Sequence, residues 1–188
     1  MSGPPDITFD NLSLAFGMAP VGLCISHDRI IRCVNEELAS IFRYGVEDLA
    51  GKSLSCLYPS AIEFENIGKR GYPVMQQTGR YSDERIMRRG NGELFWCHVA
   101  GRSLNKSLPF SCAVWMFEDI STKRPVSVDL TVREREIAQL LVRGDPTKVI
   151  GKKLGISPRT VEAHQSRLIK KLSVKSHSEL ISRLVGGA

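Results

Sequence analysis

Residues 155–172, GISPRTVEAHQSRLIKKL, constrain this chain more than any other stretch. Ser157 is a residue type that caps helix N-termini, and Pro158 suits the first helical position, where a missing N–H leaves nothing unpaired. Gly155 supplies a turn just before them. Val161, Leu168 and Leu172 then recur at spacings of seven and four, which predicts a buried stripe along one helix face. Arg159, Glu162, Ala163, Ser166, Arg167 and Lys170 fall on the other side. That outward face is basic and polar with one small residue, the composition expected of a helix that enters the major groove of DNA.

The charge balance points the same way. Residues 121–188 hold 14 Lys+Arg against 6 Asp+Glu, a net of +8, whereas the first 120 residues carry −2. The positive excess is confined to the C-terminal third, where a polyanion partner or a solvated basic face would account for it. The whole-chain composition is that of a soluble globular protein, 42% hydrophobic and 24% charged, with room for one or two domains. No apolar run approaches 18 residues and no secretory signal opens the chain, so no membrane contact is expected. Five cysteines (Cys24, Cys33, Cys56, Cys97, Cys112) without CxxC spacing predict reduced thiols in a cytoplasmic protein, with no metal site.

The pattern changes near residues 119–130. Before it, strand-like segments dominate; after it, short helices follow one another. The predicted boundaries are a flanking segment at 1–19, a sensor-like domain at 20–121, a linker at 122–129 and a helical domain at 130–188. The linker contains Pro125 and no heptad repeat, which favours direct docking or dimer geometry over a signalling coiled coil.

Four helices are predicted at the C-terminus. Thr131 and Glu134 form a capping box ahead of Ile137, Ala138, Leu140 and Leu141, and Gly144 ends that helix. A second helix runs from about Pro146 to Leu154, with Asp145 as expected N-cap. The basic helix is third. A second box, Ser176 with Glu179, opens the last, which carries Leu180, Ile181, Leu184 and Val185. A helix, a glycine turn and a capped basic helix make a helix-turn-helix.

Residues 130–185 closely resemble the LuxR/FixJ-type DNA-binding domain, through LTVREREIAQLLVRG, the Lys148-Val-Ile150 segment and LGISPRTVEAHQSRLIKKL. The resemblance implies that Lys148, Thr160 and Lys171 contact phosphates and that Glu162, Ala163, Ser166 and Arg167 face bases. It also implies that the last helix, through Leu180, Ile181 and Leu184, forms a dimer surface. Arg159 and Lys170 complete the expected DNA-binding set. Glu162 either accepts from a cytosine amine or pairs with Arg159 or Arg167; Lys148, Lys170 and Lys171 are phosphate contacts or solvated charges. His164 reads as a packing or phosphate-contacting residue, not a metal ligand. Gly151 stands where this family usually has Ala, which should weaken its helix by about 0.5–1 kcal/mol.

From residue 20 to 120 the order is two short strands joined near His27 and Asp28, several helices, and three strands. Two of the latter meet at Asn91-Gly92, a strong hairpin signal. This predicts one antiparallel sheet with helices on one face, an α+β domain. Val34-Asn35, FRYGVEDLAGKSL, GNGELFWCHV and the closing strand ending at Ile120 together resemble a PAS domain. Such domains sense a signal or mediate dimerisation, and some enclose heme, flavin or a metabolite. The cofactor is left unknown. Residues 60–79 hold no histidine for a heme, and the cysteine motif of flavin photoreceptors is missing. Phe95, Cys97, Trp115 and Phe117 are candidate cavity residues, with core packing as the alternative. Cys97 and His98 are neighbours on a strand, so only one of them faces a cavity.

The expected protein is a DNA-binding transcriptional regulator, not an enzyme: no Walker loop, HExxH or GxSxG motif occurs. A phosphorylated receiver is excluded for want of its acidic pair. Expected partners are double-stranded DNA, a second copy of the chain, a small-molecule ligand sensed through the PAS-like domain, and RNA polymerase. The competing expectation is a ligand-free PAS-like module that binds a partner protein while DNA binding stays constitutive or partner-assisted.

Overall fold

The structure, a computed structural model, describes residues 9–122 and 130–185. Most of the expected linker, with Pro125, therefore lies outside the described residues. Helix α1 (Phe9–Gly17) comes first. Strands β1 (Gly22–His27) and β2 (Ile30–Val34) follow as a hairpin. Its two turn residues, Asp28 and Arg29, both take positive φ (48° and 64°), as the tight mirror-image hairpin turn demands.

Helices α2 (Glu36–Phe42) and α3 (Val46–Leu49), a single 3-10 turn at Leu54–Leu57 and the long helix α4 (Ala61–Thr78) lead to β3 (Arg80–Arg88), β4 (Leu94–Ser103) and β5 (Ala113–Asp119). The five strands form one antiparallel sheet in the order β2-β1-β5-β4-β3. Asn35 ties the entry together. Its Oδ1 accepts from the amides of Leu23 (2.8 Å) and Leu38 (3.0 Å), while its Nδ2 donates to the carbonyls of Val21 (2.9 Å) and Phe16 (3.2 Å). One buried amide thus caps α2 and fixes α1 and β1 beside it, with every donor and acceptor used.

Helices α5 (Val132–Val142), α6 (Thr147–Leu154), α7 (Pro158–Lys171) and α8 (His177–Val185) make the C-terminal domain. The Thr131–Glu134 capping box forms in both directions, at 3.3 and 2.8 Å. Ser157 accepts from the Thr160 amide at 3.0 Å, with Pro158 in the first turn. Two expectations need correction. The N-cap of α6 is Pro146, without a side-chain cap, because Asp145 turns instead to Lys153 Nζ at 2.6 Å. Ser176 caps the Glu179 amide, but Glu179 reaches back one residue further, to the Lys175 amide. Gly151 also has a positive reason to be glycine. A Cβ there would stand 2.7 Å from the Ile156 carbonyl oxygen, so the tight turn into α7 needs its absence.

Two hydrophobic cores result. The first lies between one sheet face and α2–α4, and includes Leu38, Phe42, Met75, Phe95, Cys97 and Phe117. The second fills the C-terminal domain with Ile137, Leu141, Ile150, Val161, Leu168 and Leu180, and extends to Ile86, Trp96 and Ile120. Ile86 and Trp96 are cross-strand partners on the opposite sheet face. The sheet is therefore covered by its own helices on one side and in part by the C-terminal domain on the other, an arrangement beyond the predicted single helical layer.

Candidate nucleic-acid interface and sensor cavity

On α7 the stripe and the free face separate as the spacing requires. Val161 and Leu168 are buried, Leu172 is half-buried, and Arg159, Thr160, Glu162, Ala163, Ser166, Arg167, Lys170 and Lys171 are exposed. Lys148, on α6, is exposed as well. Within this set Lys171 differs. Its Nζ lies 2.7 Å from a carboxylate oxygen of Glu134, which is only 3% exposed. Burial would raise the Glu134 pKa, but Lys171 and the Thr131 N–H outweigh it and hold the carboxyl below its ordinary range. Lys171 is thus the counter-ion of a buried carboxylate. His164 is half-buried, with Nδ1 lacking a partner; burial, then Arg167, lowers its pKa and favours the neutral ring.

The sheet-and-helix domain encloses a cavity of about 30 Å³, room for one or two waters. Its wall includes Trp115 and Phe117 among the expected residues. Phe95 and Cys97 are buried in the same core but do not line the cavity; Phe95 instead packs edge-on against Phe42 of α2. The strand parity is settled: Cys97 points inward, and His98 points to the outer face, where it meets Ser82 Oγ (3.0 Å) and Glu118 (3.4 Å). Burial pushes the Cys24 thiol up to about 12 and raises Cys97 and Cys56 too, which makes these thiols poor nucleophiles.

The cavity wall is mostly apolar, but it also carries polar groups that the residue pattern did not single out. Arg85, on β3, is fully buried, donates Nε to Asp83 (2.7 Å) and Nη1 to the Tyr58 hydroxyl (2.6 Å), and its Nη2, ion-paired to Asp83, makes no hydrogen bond. Tyr81 donates to the same carboxylate at 2.7 Å. Burial works against the charge of Arg85, but Asp83, Tyr58 and Tyr81 over-compensate and raise its pKa. Arg29 closes another side. Its guanidinium lies 3.3 Å over the Phe64 ring and donates to the Phe64 carbonyl at 2.7 Å. The sequence offered one clue, the charged pair Asp83 and Arg85 at a two-residue spacing, which must share a sheet face.

Residues 20–122 match the family model of the PAS domain, and residues 128–184 match that of bacterial regulatory proteins of the luxR family. The chain belongs to the PAS-domain family and carries a luxR-type domain at residues 128–184. It is 31% identical over 116 residues to the sensor protein TdiS of Thauera aromatica, 61% of this chain and 21% of that one. To the transcriptional regulatory protein UhpA of Salmonella typhimurium it is 43% identical over 58 residues, 31% of this chain and 30% of UhpA. It therefore spans about a fifth to a third of the length of these curated relatives. A solved PAS domain of a LuxR-family transcriptional regulator from Burkholderia thailandensis, in complex with ethanol, is 52% identical. It covers 61% of this chain and 99% of its own, with a TM-score of 0.58.

The PAS and luxR-type domains are joined through α4 and α5. Glu63 on α4 takes both Nε (3.0 Å) and Nη2 (2.6 Å) of Arg135 on α5, and Arg135 also donates to the Leu130 carbonyl. Both side chains are buried, at 3% and 9% exposure. Asn66 donates to Glu136 at 2.6 Å alongside. An adjoining face of α4 supplies Phe64, Ile67, Gly68, Gly71 and Met75 to the cavity. One helix therefore touches both the cavity and the DNA-binding domain. The expected dimer surface on α8 is corrected for two residues: Leu180 and Leu184 are 0% and 5% exposed, because they complete the core of their own domain. Ile181 is half-buried.

Proposed function

We propose that this chain is a DNA-binding transcription regulator whose α7 reads an operator while the PAS domain sets its placement through α4. The observation that carries this reading is the exposed outer face of α7, rigidly capped at Ser157 and borne on a domain bolted to the sensor by Arg135 and Glu63. Arg159, Glu162, Ala163, Ser166 and Arg167 reach into the groove; Lys148, Thr160 and Lys170 sit at phosphates. The working form is a cytoplasmic homodimer on a two-fold site. Leu12, Leu14 and Met18 on or beside α1 are exposed apolar groups that a second copy would cover. RNA polymerase is the onward partner. The PAS ligand is small, with an apolar body and a hydrogen-bond acceptor for Arg85 Nη2; ethanol in the Burkholderia domain supports the size class.

Binding-site selection from a random duplex pool, followed by affinity at graded salt, tests the reading. One enriched, pseudo-palindromic motif with a steep salt dependence is expected. Binding without sequence preference would sink it. One observation favours a second reading, a ligand-free PAS domain that binds a partner protein: the cavity is only about 30 Å³. Native mass spectrometry of the purified chain separates the two, since a retained small molecule belongs only to the first.

A further inference from the structure

A cleft of about 250 Å³ lies between the two domains, away from both the PAS cavity and the outer face of α7. Its walls carry Lys69 and Arg70 from α4, Arg133 from α5 and Lys153 from α6, with Asn66 and Glu136 between them. Arg133 is paired with Glu136 (3.0 Å), which also accepts from Asn66 (2.6 Å), and Lys153 is paired with Asp145 (2.6 Å). Arg70 Nη1 is buried with no hydrogen-bond partner, and Lys69 makes no ion pair among the described residues. A buried guanidinium donor left unmet is costly, and it is a pointer to a group that meets it. Both domains contribute positive charge to the cleft, and beyond the Arg133–Glu136 and Lys153–Asp145 pairs Lys69 and Arg70 leave an excess for an anion to offset.

We propose that this cleft is a binding site for a small phosphate-bearing anion, held by Lys69 and Arg70 of the PAS domain and by Arg133 and Lys153 of the luxR-type domain. Guanidinium and ammonium donors from two sides match the tetrahedral oxygens of a phosphoryl group. The cleft is partly enclosed and admits a group of few atoms, not a duplex backbone. Because the anion needs both domains in place, its binding stabilises the docked arrangement by mass action. The site is independent of what fills the PAS cavity and of which operator is read.

The test is calorimetric titration of the full chain with inorganic phosphate and with glycerol phosphate, at ionic strength held constant with sodium chloride. Saturable binding is expected; the tighter of the two anions tells a free phosphate from an ester. Lys69→Gln, an exposed change, and Arg70→Gln should each weaken it by about tenfold, as for loss of one charged hydrogen bond, whereas Arg167→Ala should leave it unchanged. Circular dichroism checks that each variant is folded, and Arg70→Lys should recover part of the affinity. Absence of saturable binding overturns the proposal. So does loss of binding in Arg167→Ala, or on adding a DNA duplex, with Lys69→Gln unaffected, which would place the anion on the DNA-reading face.

Discussion

The two hydrophobic cores are built on different principles. The PAS core is closed: its members come from one sheet face and from helices of the same domain. The luxR-type core is open at one end and is completed by Ile86, Trp96 and Ile120 of the PAS domain. Helix α5 shows the difference most plainly. It is buried nearly all round, with Ile137, Ala138 and Leu141 in the core and with Glu134, Arg135 and Glu136 also out of water. Each charged residue on it has a named partner: Lys171, Glu63, and Asn66 with Arg133. A helix of this kind is stable only in its assembled surroundings, since one missing partner strands a buried charge. The PAS core is complete within its own domain, whereas the luxR-type core leans on the PAS sheet. Helix α4 links the two domains directly, through Glu63–Arg135 and Asn66–Glu136.

The sharpest way to break this contrast is Arg135→Ala. It leaves the buried Glu63 without its counter-ion, with only the Ser60 hydroxyl still donating to it, and should cost about 3–5 kcal/mol in chemical denaturation. The double variant Glu63→Met, Arg135→Met should recover most of that loss, because no charge is left stranded. If Arg135→Ala cost less than about 1 kcal/mol, the typical worth of a surface pair, the domains would not depend on each other as described.

The next test separates reading from support. Arg167→Ala should lower discrimination between operator and random DNA by about 1–3 kcal/mol while leaving the melting temperature in place. Equal loss on both kinds of DNA would remove Arg167 from base readout. Lysines then sharpen the same line. Lys148→Ala should reduce the slope of log affinity against log salt by about one. Lys171→Met should lower thermal stability and change that slope less, since its charge serves Glu134. A full one-unit change for Lys171→Met would restore it to the phosphate set.

The smallest expected effect is in pH. His164 has a lowered pKa in the folded chain, so its contribution to stability is complete above its ordinary value of 6.5 and is lost as pH falls below it. Glu134, also lowered, gives a contribution present above its ordinary 4.5 and lost on further acidification. Melting temperatures from pH 7.5 to 5 should fall, and His164→Gln should flatten the upper part of that decline. An unchanged profile in the variant would show that the ring contributes nothing.

What was legible in the sequence was what is local. Caps such as Ser157 and Thr131, the Asn91-Gly92 hairpin and the α7 stripe follow from residues a few positions apart. The antiparallel α+β layout followed from the succession of such pieces, but the spatial strand order β2-β1-β5-β4-β3 did not. The cavity was half legible: Trp115 and Phe117 were found from apolar strand positions, but Arg29, Tyr58, Phe64 and Arg85 come from four separate parts of the chain, two of them outside any helix or strand. Nothing short-range marks their convergence. The Glu63–Arg135 pair lies 72 residues apart in the chain, and an arginine in a helix reads as a solvated side chain until its surroundings are known. For the same reason Leu180 and Leu184 looked available to a partner when they were in fact needed at home.

Two mid-helix glycines give an experimentalist unequal tools. Replacing helical glycine by alanine is a routine attempt at thermostabilisation. At Gly151 it must fail, because the obstacle 2.7 Å away is a backbone carbonyl that has nowhere to go. At Gly68 the obstacle, at 2.8 Å, is the tip of the Arg29 side chain, which can swing aside. The same one-methyl change is therefore a lesion in one helix and, in the other, a wedge that lifts a guanidinium from the cavity wall while the fold stays whole. Gly68→Ala becomes a way to prop the sensor ajar and watch how the reader responds with no ligand added.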